Sequence, residues 1–166
     1  PSKKSNQVVS CFFSNVSPEK IVSYADFLGA LVPEYLKNRS RYAGLKPISM
    51  FINAAEGRGG LVCDYSGACG NKWMYIGPQG NTSQCGRAGD ESLLDYGNVK
   101  DKTLEEIFYH SKRDDINNRQ KVLAEKECSD CKYWGICHGG CPVDALAMTG
   151  ELMSKSPFCE VIKHLM

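Results

Sequence analysis

The chain has 166 residues, 42% of them hydrophobic, and a net charge of +1 at neutral pH. That length suits one full-size domain or a small one with an extension, and the charge balance gives no reason to expect nucleic acid. Sixteen glycines, seven prolines and nine cysteines point to a loop-rich chain held by more than an apolar core. The apolar runs are far shorter than the roughly 20 residues that span a bilayer. The N-terminal PSKKSNQVVSCFF lacks the features of a signal peptide. The expectation is a cytoplasmic protein without membrane contact. The chain does not begin with Met, which reads as processing or as part of something longer.

In chain order, QVVSCFF (7–13) is β-branched and aromatic and reads as a buried strand. Ser17 then has the form of an N-cap, with Pro18 in the first helical position and Glu19 in the first turn. Ile21, Tyr24, Ala25, Leu28, Leu31, Val32, Tyr35 and Leu36 recur at helical spacing as one apolar face. Pro33 is expected to kink or restart that helix. PISMFIN (47–53) is strand-like, and the breaker EGRGG (56–60) marks a boundary between regions 1–58 and 59–166.

In the second region WMYIG (73–77) and NTSQC (81–85) flank Pro78-Gln79-Gly80. A type I turn with Gly80 left-handed would close that hairpin. Thr103 and Glu106 form a capping box for a short helix. A polar helix over 112–125 follows, its charge-rich 112–121 stretch read as a solvated face. Two further short helices are expected, one after Pro142 and one near Pro157.

The second region holds Cys63, Cys69, Cys85, Cys128, Cys131, Cys137, Cys141 and Cys159, and Cys11 stands apart. Without an export signal, such thiols read as metal ligands rather than disulfides. Eight make two four-thiolate sites, and zinc and iron–sulfur chemistry both use that donor set. CSDCKYWGICHGGC (128–141) raises the question of partition. Cys128, Cys131 and Cys137 can close on one centre. Cys141 follows Gly139-Gly140, a pair able to reverse the chain and aim its sulfur elsewhere.

The ordered series Cys63-x5-Cys69-x10-Gly80-x4-Cys85, then C-x2-C-x5-C-x3-C, then Cys159, resembles the SPASM domain of radical S-adenosylmethionine enzymes. SPEKIVSYADFLGALVPEYLKN resembles, more loosely, the stretch that joins the catalytic barrel to that domain. The resemblance implies an α+β fold: a small β-hairpin and short helices around two metal clusters. Residues 1–58 would be the strand/helix tail of a partial (β/α) barrel, and 59–166 the SPASM domain.

It also implies two auxiliary 4Fe-4S clusters. Cys63, Cys69, Cys85 and Cys141 would hold the inner one, and Cys128, Cys131, Cys137 and Cys159 the outer one. The inner cluster would accept the substrate's electron, and the outer would pass it to a carrier such as ferredoxin or flavodoxin. Four cysteines leave no open iron for direct substrate ligation. S-adenosylmethionine and a third 4Fe-4S cluster need a C-x3-C-x2-C motif, which these residues lack. The chain should therefore be inactive alone and act as part of a longer oxidoreductase-type enzyme. Gly86 stands where the sulfatase-maturing branch has an aspartate, which favours a peptide-modifying (RiPP) maturase with a peptide or protein substrate. The alternative is a structural protein-interaction module with two zinc ions, each on four cysteines, and no redox role.

Other residues have simpler readings. Cys11 reads as a small buried hydrophobe. His138 reads as a solvent-facing or cluster-neighbouring histidine, hydrogen-bonding a sulfur or the backbone, rather than a ligand. His110 and His164 read as helix-end residues. Tyr133 and Trp134 read as packing the cysteine loop, with shielding of the outer cluster from water as the other possibility, and Arg87 and Asp90 as a solvated loop with substrate contact as the other possibility.

Overall fold

A computed structural model describes residues 16–58, 65–90 and 93–166, apart from the side chain of Asp90. The expected strand 7–13, with Cys11, lies outside them, as does Cys63.

Helix α1 (Pro18–Lys37) begins as its sequence dictates: Ser17 is extended and its hydroxyl accepts the Lys20 N–H at 3.4 Å. Ile21, Ala25, Leu28 and Tyr35 are buried, while Tyr24 and Leu36, expected on the same face, are 42% and 44% exposed. The buried stripe is narrower than the apolar pattern. Pro33 does not restart the helix, which continues to Lys37. The rung lost at Pro33 is offset by the stripe that α1 lays against the C-terminal helix.

PISMFIN is not a strand. It lies in helix α2 (Ile48–Ala55), where Ile48, Ser49, Met50 and Phe51 are all buried. A short β-branched and aromatic run fits strand and buried helix alike, and here Ile48 and Phe51 join the core shared by α1 and the C-terminal helix. The helix ends at the expected breaker, with Gly57 left-handed (φ +69°).

After the one-turn α3 (Cys69–Lys72) comes the expected hairpin of β1 (Tyr75–Ile76) and β2 (Asn81–Ser83). Gly80 N–H donates to Gly77 O at 2.9 Å across the turn, with Gly80 at φ +88°. The sequence reading missed β3 (Asp95–Asn98), which pairs antiparallel with β2 and gives the order β1-β2-β3. DYGN has turn residues rather than strand formers, so no local signal announces it. Helix α4 (Gly86–Asp90) links the two strands.

Both arms of the Thr103–Glu106 capping box form at α5 (Leu104–Phe108). Helices α6 (Ser111–Glu125), α7 (Trp134–Cys137), α8 (Pro142–Thr149) and α9 (Cys159–Leu165) follow. The fold is thus mixed, short helices with a small antiparallel sheet. No helix among the described residues is long and apolar enough to cross a membrane.

Two apolar clusters fill the interior. One joins Ile21, Ala25, Leu28 and Tyr35 to Ile48, Phe51, Val161, Ile162 and Leu165, and includes Cys137. The other joins Ala88, Leu94, Tyr96, Ile107, Ile116 and Val143 to Cys141, with Cys69 and Cys85 packed on it. The first therefore draws on both sides of the expected boundary at 56–60.

Candidate metal centre

The 128–141 segment is a chain of tight turns. Cys131 N–H donates to Cys128 O at 3.2 Å, Trp134 N–H to Cys131 O at 3.0 Å and Cys137 N–H to Tyr133 O at 2.9 Å. Cys137 ends α7. Then three successive residues take left-handed conformations: His138 (φ +50°), Gly139 (φ +81°) and Gly140 (φ +69°). Such a run reverses the backbone, and glycine permits it at two of the three positions. Cys141, on the far side, caps α8. The reversal sends Cys137 into one apolar cluster and Cys141 into the other.

Cys159 opens α9, and Ser156 N–H donates to Gly139 O at 2.8 Å, which ties this segment to the glycine pair. Cys128, Cys131 and Cys159 line one open pocket of about 390 Å³ with Lys126, Lys155 and Lys163. Cys137 lies deeper. Burial, then the charges of Cys159, Cys128 and Cys131, push its thiol up to about 11, against a backbone hydrogen bond from Gly139. Cys128 is raised by burial and then by Cys131 and Cys159. Cys159 is raised by burial, against the opposing pull of Lys163 and Lys155. These four sulfurs thus lie within one another's electrostatic field. Four neighbouring cysteine sulfurs are the soft donor set that a zinc or iron–sulfur group binds as thiolates, so they fit a thiolate-bound group.

Cys69 opens α3 and Cys85 follows β2, and both pack against the apolar cluster that contains Cys141. Fully buried Gln84 binds this set to the sheet. Its Nε2 donates to Cys69 O at 2.6 Å, Cys69 Sγ at 3.3 Å and Trp73 O at 3.2 Å, while Oε1 accepts from Tyr96 O–H at 2.7 Å. Burial raises the Tyr96 phenol, Arg113 opposes, and Cys69 and Cys85 add to the rise. Arg87 donates from Nη1 to Cys141 Sγ at 3.8 Å and pairs with Asp144. These three thiols share soft-donor chemistry with the first set, while the fourth expected donor, Cys63, lies outside the described residues. Among the described residues no three His, Cys, Asp or Glu side chains converge tightly enough to hold a single metal ion. The seven described cysteines carry thiols rather than disulfides.

The expected solvated face over 112–121 is present at Lys112, Asp114, Asp115, Asn118 and Lys121, but two arginines of the run depart from it. Arg113 and Arg119 are 3% and 2% exposed. Arg119 donates to Leu152 O, Gly140 O, Gly139 O and Ser154 O at 2.6–2.9 Å, pinning the reversed loop from below. Burial pulls it below the usual arginine range, and Cys141, Cys128, Cys137 and Cys69 oppose that pull. It therefore stands in the field of both sulfur sets. The signal was present in the spacing of Arg113, Ile116, Arg119 and Leu123, one buried stripe that includes two arginines. His138 Nδ1 meets Tyr65 O at 2.9 Å, a backbone partner as expected. His110 caps α6 and His164 Nε2 meets Asp26 at 2.9 Å.

Residues 63–132 match the SPASM family, an iron–sulfur cluster-binding domain. Cys137, Cys141 and Cys159 lie beyond that match. A PqqA peptide cyclase of Ruegeria pomeroyi is 32% identical over 100 residues, covering 58% of this chain and 26% of that protein. A PqqA peptide cyclase of Methylocella silvestris is 26% identical over 132 residues, covering 80% of this chain and 35% of that protein. The chain thus spans about a quarter to a third of the length of these relatives. In fold it is similar to native anSMEcpe, solved with bound AdoMet and Kp18Cys peptide, at a TM-score of 0.61 and 18% identity. That likeness covers 99% of this chain and 42% of the solved one.

Proposed function

We propose that this chain is the C-terminal, electron-relaying part of a radical S-adenosylmethionine maturase that modifies a peptide or protein. In this reading 59–166 is the SPASM domain and 1–58 the tail of the catalytic barrel with its linker. Cys128, Cys131, Cys137 and Cys159 hold one 4Fe-4S cluster, and Cys63, Cys69, Cys85 and Cys141 a second. When bound, such clusters supply one-electron transfer. The chain's residues set the two sulfur sets apart, pack apolar side chains on Cys137 and on the Cys141 set, and cross-link α3, β2, α8 and α9. A small carrier of the ferredoxin or flavodoxin kind takes the electron onward, in the cytoplasm.

The observation that carries this reading is the left-handed run at 138–140, which parts Cys137 from Cys141. One local site for the whole 128–141 run would need both sulfurs on the same side. The presence of S-adenosylmethionine and peptide in the anSMEcpe structure, and the peptide cyclase activity named for the relatives, support the substrate class.

Anaerobic iron, sulfide and zinc analysis with the visible spectrum tests it. The expected result is about eight iron and eight sulfide per chain, falling to about four in Cys137→Ser and in Cys141→Ser, with a different cluster signal lost in each. Loss of the same signal in both variants would put the two sulfurs on one centre and refute the partition. About two zinc, with no sulfide or colour after anaerobic reconstitution, would leave a zinc-stapled interaction module instead.

A further inference from the structure

Cys141 and Asp144 occupy the N-cap and first turn of α8. Arg87, in α4, faces both: Nη1 lies 3.8 Å from Cys141 Sγ and Nη2 pairs with Asp144 Oδ1. Asp144 is 6% exposed while the Arg87 side chain is 36% exposed, so the pair is screened by water from the arginine's side only. Arg87 and Asp144 also line an open, largely apolar pocket of about 510 Å³ with Tyr24, Phe51, Tyr65 and Phe158. The guanidinium therefore stands between that pocket and the Cys141 sulfur.

We propose that Arg87, positioned by Asp144, raises the reduction potential of the centre held by the Cys141 set. The inference rests on the two-cluster reading above. One-electron reduction adds a negative charge to the centre without breaking a bond. A fixed cation at a ligand sulfur stabilises the reduced form more than the oxidised one. Asp144 cancels part of the charge but fixes the guanidinium's direction. A planar fork can serve a sulfur and a carboxylate at once, which a lysine does poorly.

The test is EPR-monitored potentiometry on anaerobically reconstituted wild type, Arg87→Gln and Arg87→Lys, with a low-potential dye as reductant and iron measured on each. Arg87→Gln is expected to move one midpoint downward and leave the other in place, with iron content unchanged. Arg87→Lys keeps the charge and is expected to recover part of the shift. The same downward shift should persist when Arg87→Gln is placed in the Cys137→Ser background, which retains the Cys141 set. Unmoved midpoints overturn the inference, as does an equal shift in Arg87→Lys or a shift absent from the Cys137→Ser background. Loss of about half the iron in Arg87→Gln also overturns it, because the residue would then serve assembly of one of the two clusters. A wild type that takes up no iron and sulfide is a different result, defeating the two-cluster reading itself.

Discussion

At Glu56 two arginines meet one carboxylate. Arg39 donates to both its oxygens, at 2.8 and 2.6 Å, and Arg58 adds a further bond. Arg39's hydrogen bond is the largest influence holding Glu56 at about 2, with burial opposing and Arg58 assisting. A carboxyl held lower in the folded than in the unfolded chain stabilises the fold above the usual carboxylate range of about 4. That contribution is lost as pH falls through about 2. Glu56→Gln should flatten this part of the acid profile, which thermal unfolding of both proteins between about pH 5 and 2 would read. Gly140 is the more demanding position. Its φ is +69°, and a Cβ there would sit 2.6 Å from Ser156 Cβ. Gly140→Ala should destabilise by about 1–3 kcal/mol in chemical denaturation, from the left-handed backbone and the crowding together.

Among the elements, α6 carries the clearest consequence. Arg119→Met would remove a donor from four carbonyls, of which Gly139 O keeps the Ser156 N–H. Buried acceptors left without partners cost about 1–3 kcal/mol each before relaxation. The expected outcome is a marked fall in thermal stability with iron lost from both sulfur sets, since the glycine pair lies between them. Retention of all iron would show that the loop holds itself. The physics behind α6 also explains what the sequence disclosed. The α1 cap, the capping box at α5 and the turn at Gly80 are written within a few residues of where they act, and each formed as read. Strand β3 and helix α2 depend on neighbours distant in the chain, so their segments misled or gave nothing. Arg119 escaped because arginine in a polar helix normally faces water, although its helical spacing with Arg113, Ile116 and Leu123 traces the buried stripe. Gly139-Gly140 stated the chain reversal in advance, because left-handed backbone is a local requirement.

Across the whole molecule, α1 packs on α9, the helix that Cys159 opens. Ala25 is fully buried in that contact region. Ala25→Leu should overpack it at about 1–3 kcal/mol. The strain should fall first on the Cys159 set and leave the Cys141 set loaded, which cluster-resolved EPR during thermal or chelator challenge would show. Simultaneous loss of both signals would mean that the two apolar clusters fail as a unit. The interleaved order of the thiols also matters while the chain is being made. Cys63, Cys69, Cys85 and Cys141 all precede Cys159 in the order of synthesis. In the proposed partition, the growing chain therefore contains every donor of the Cys141 set before the last donor of the other set has been added.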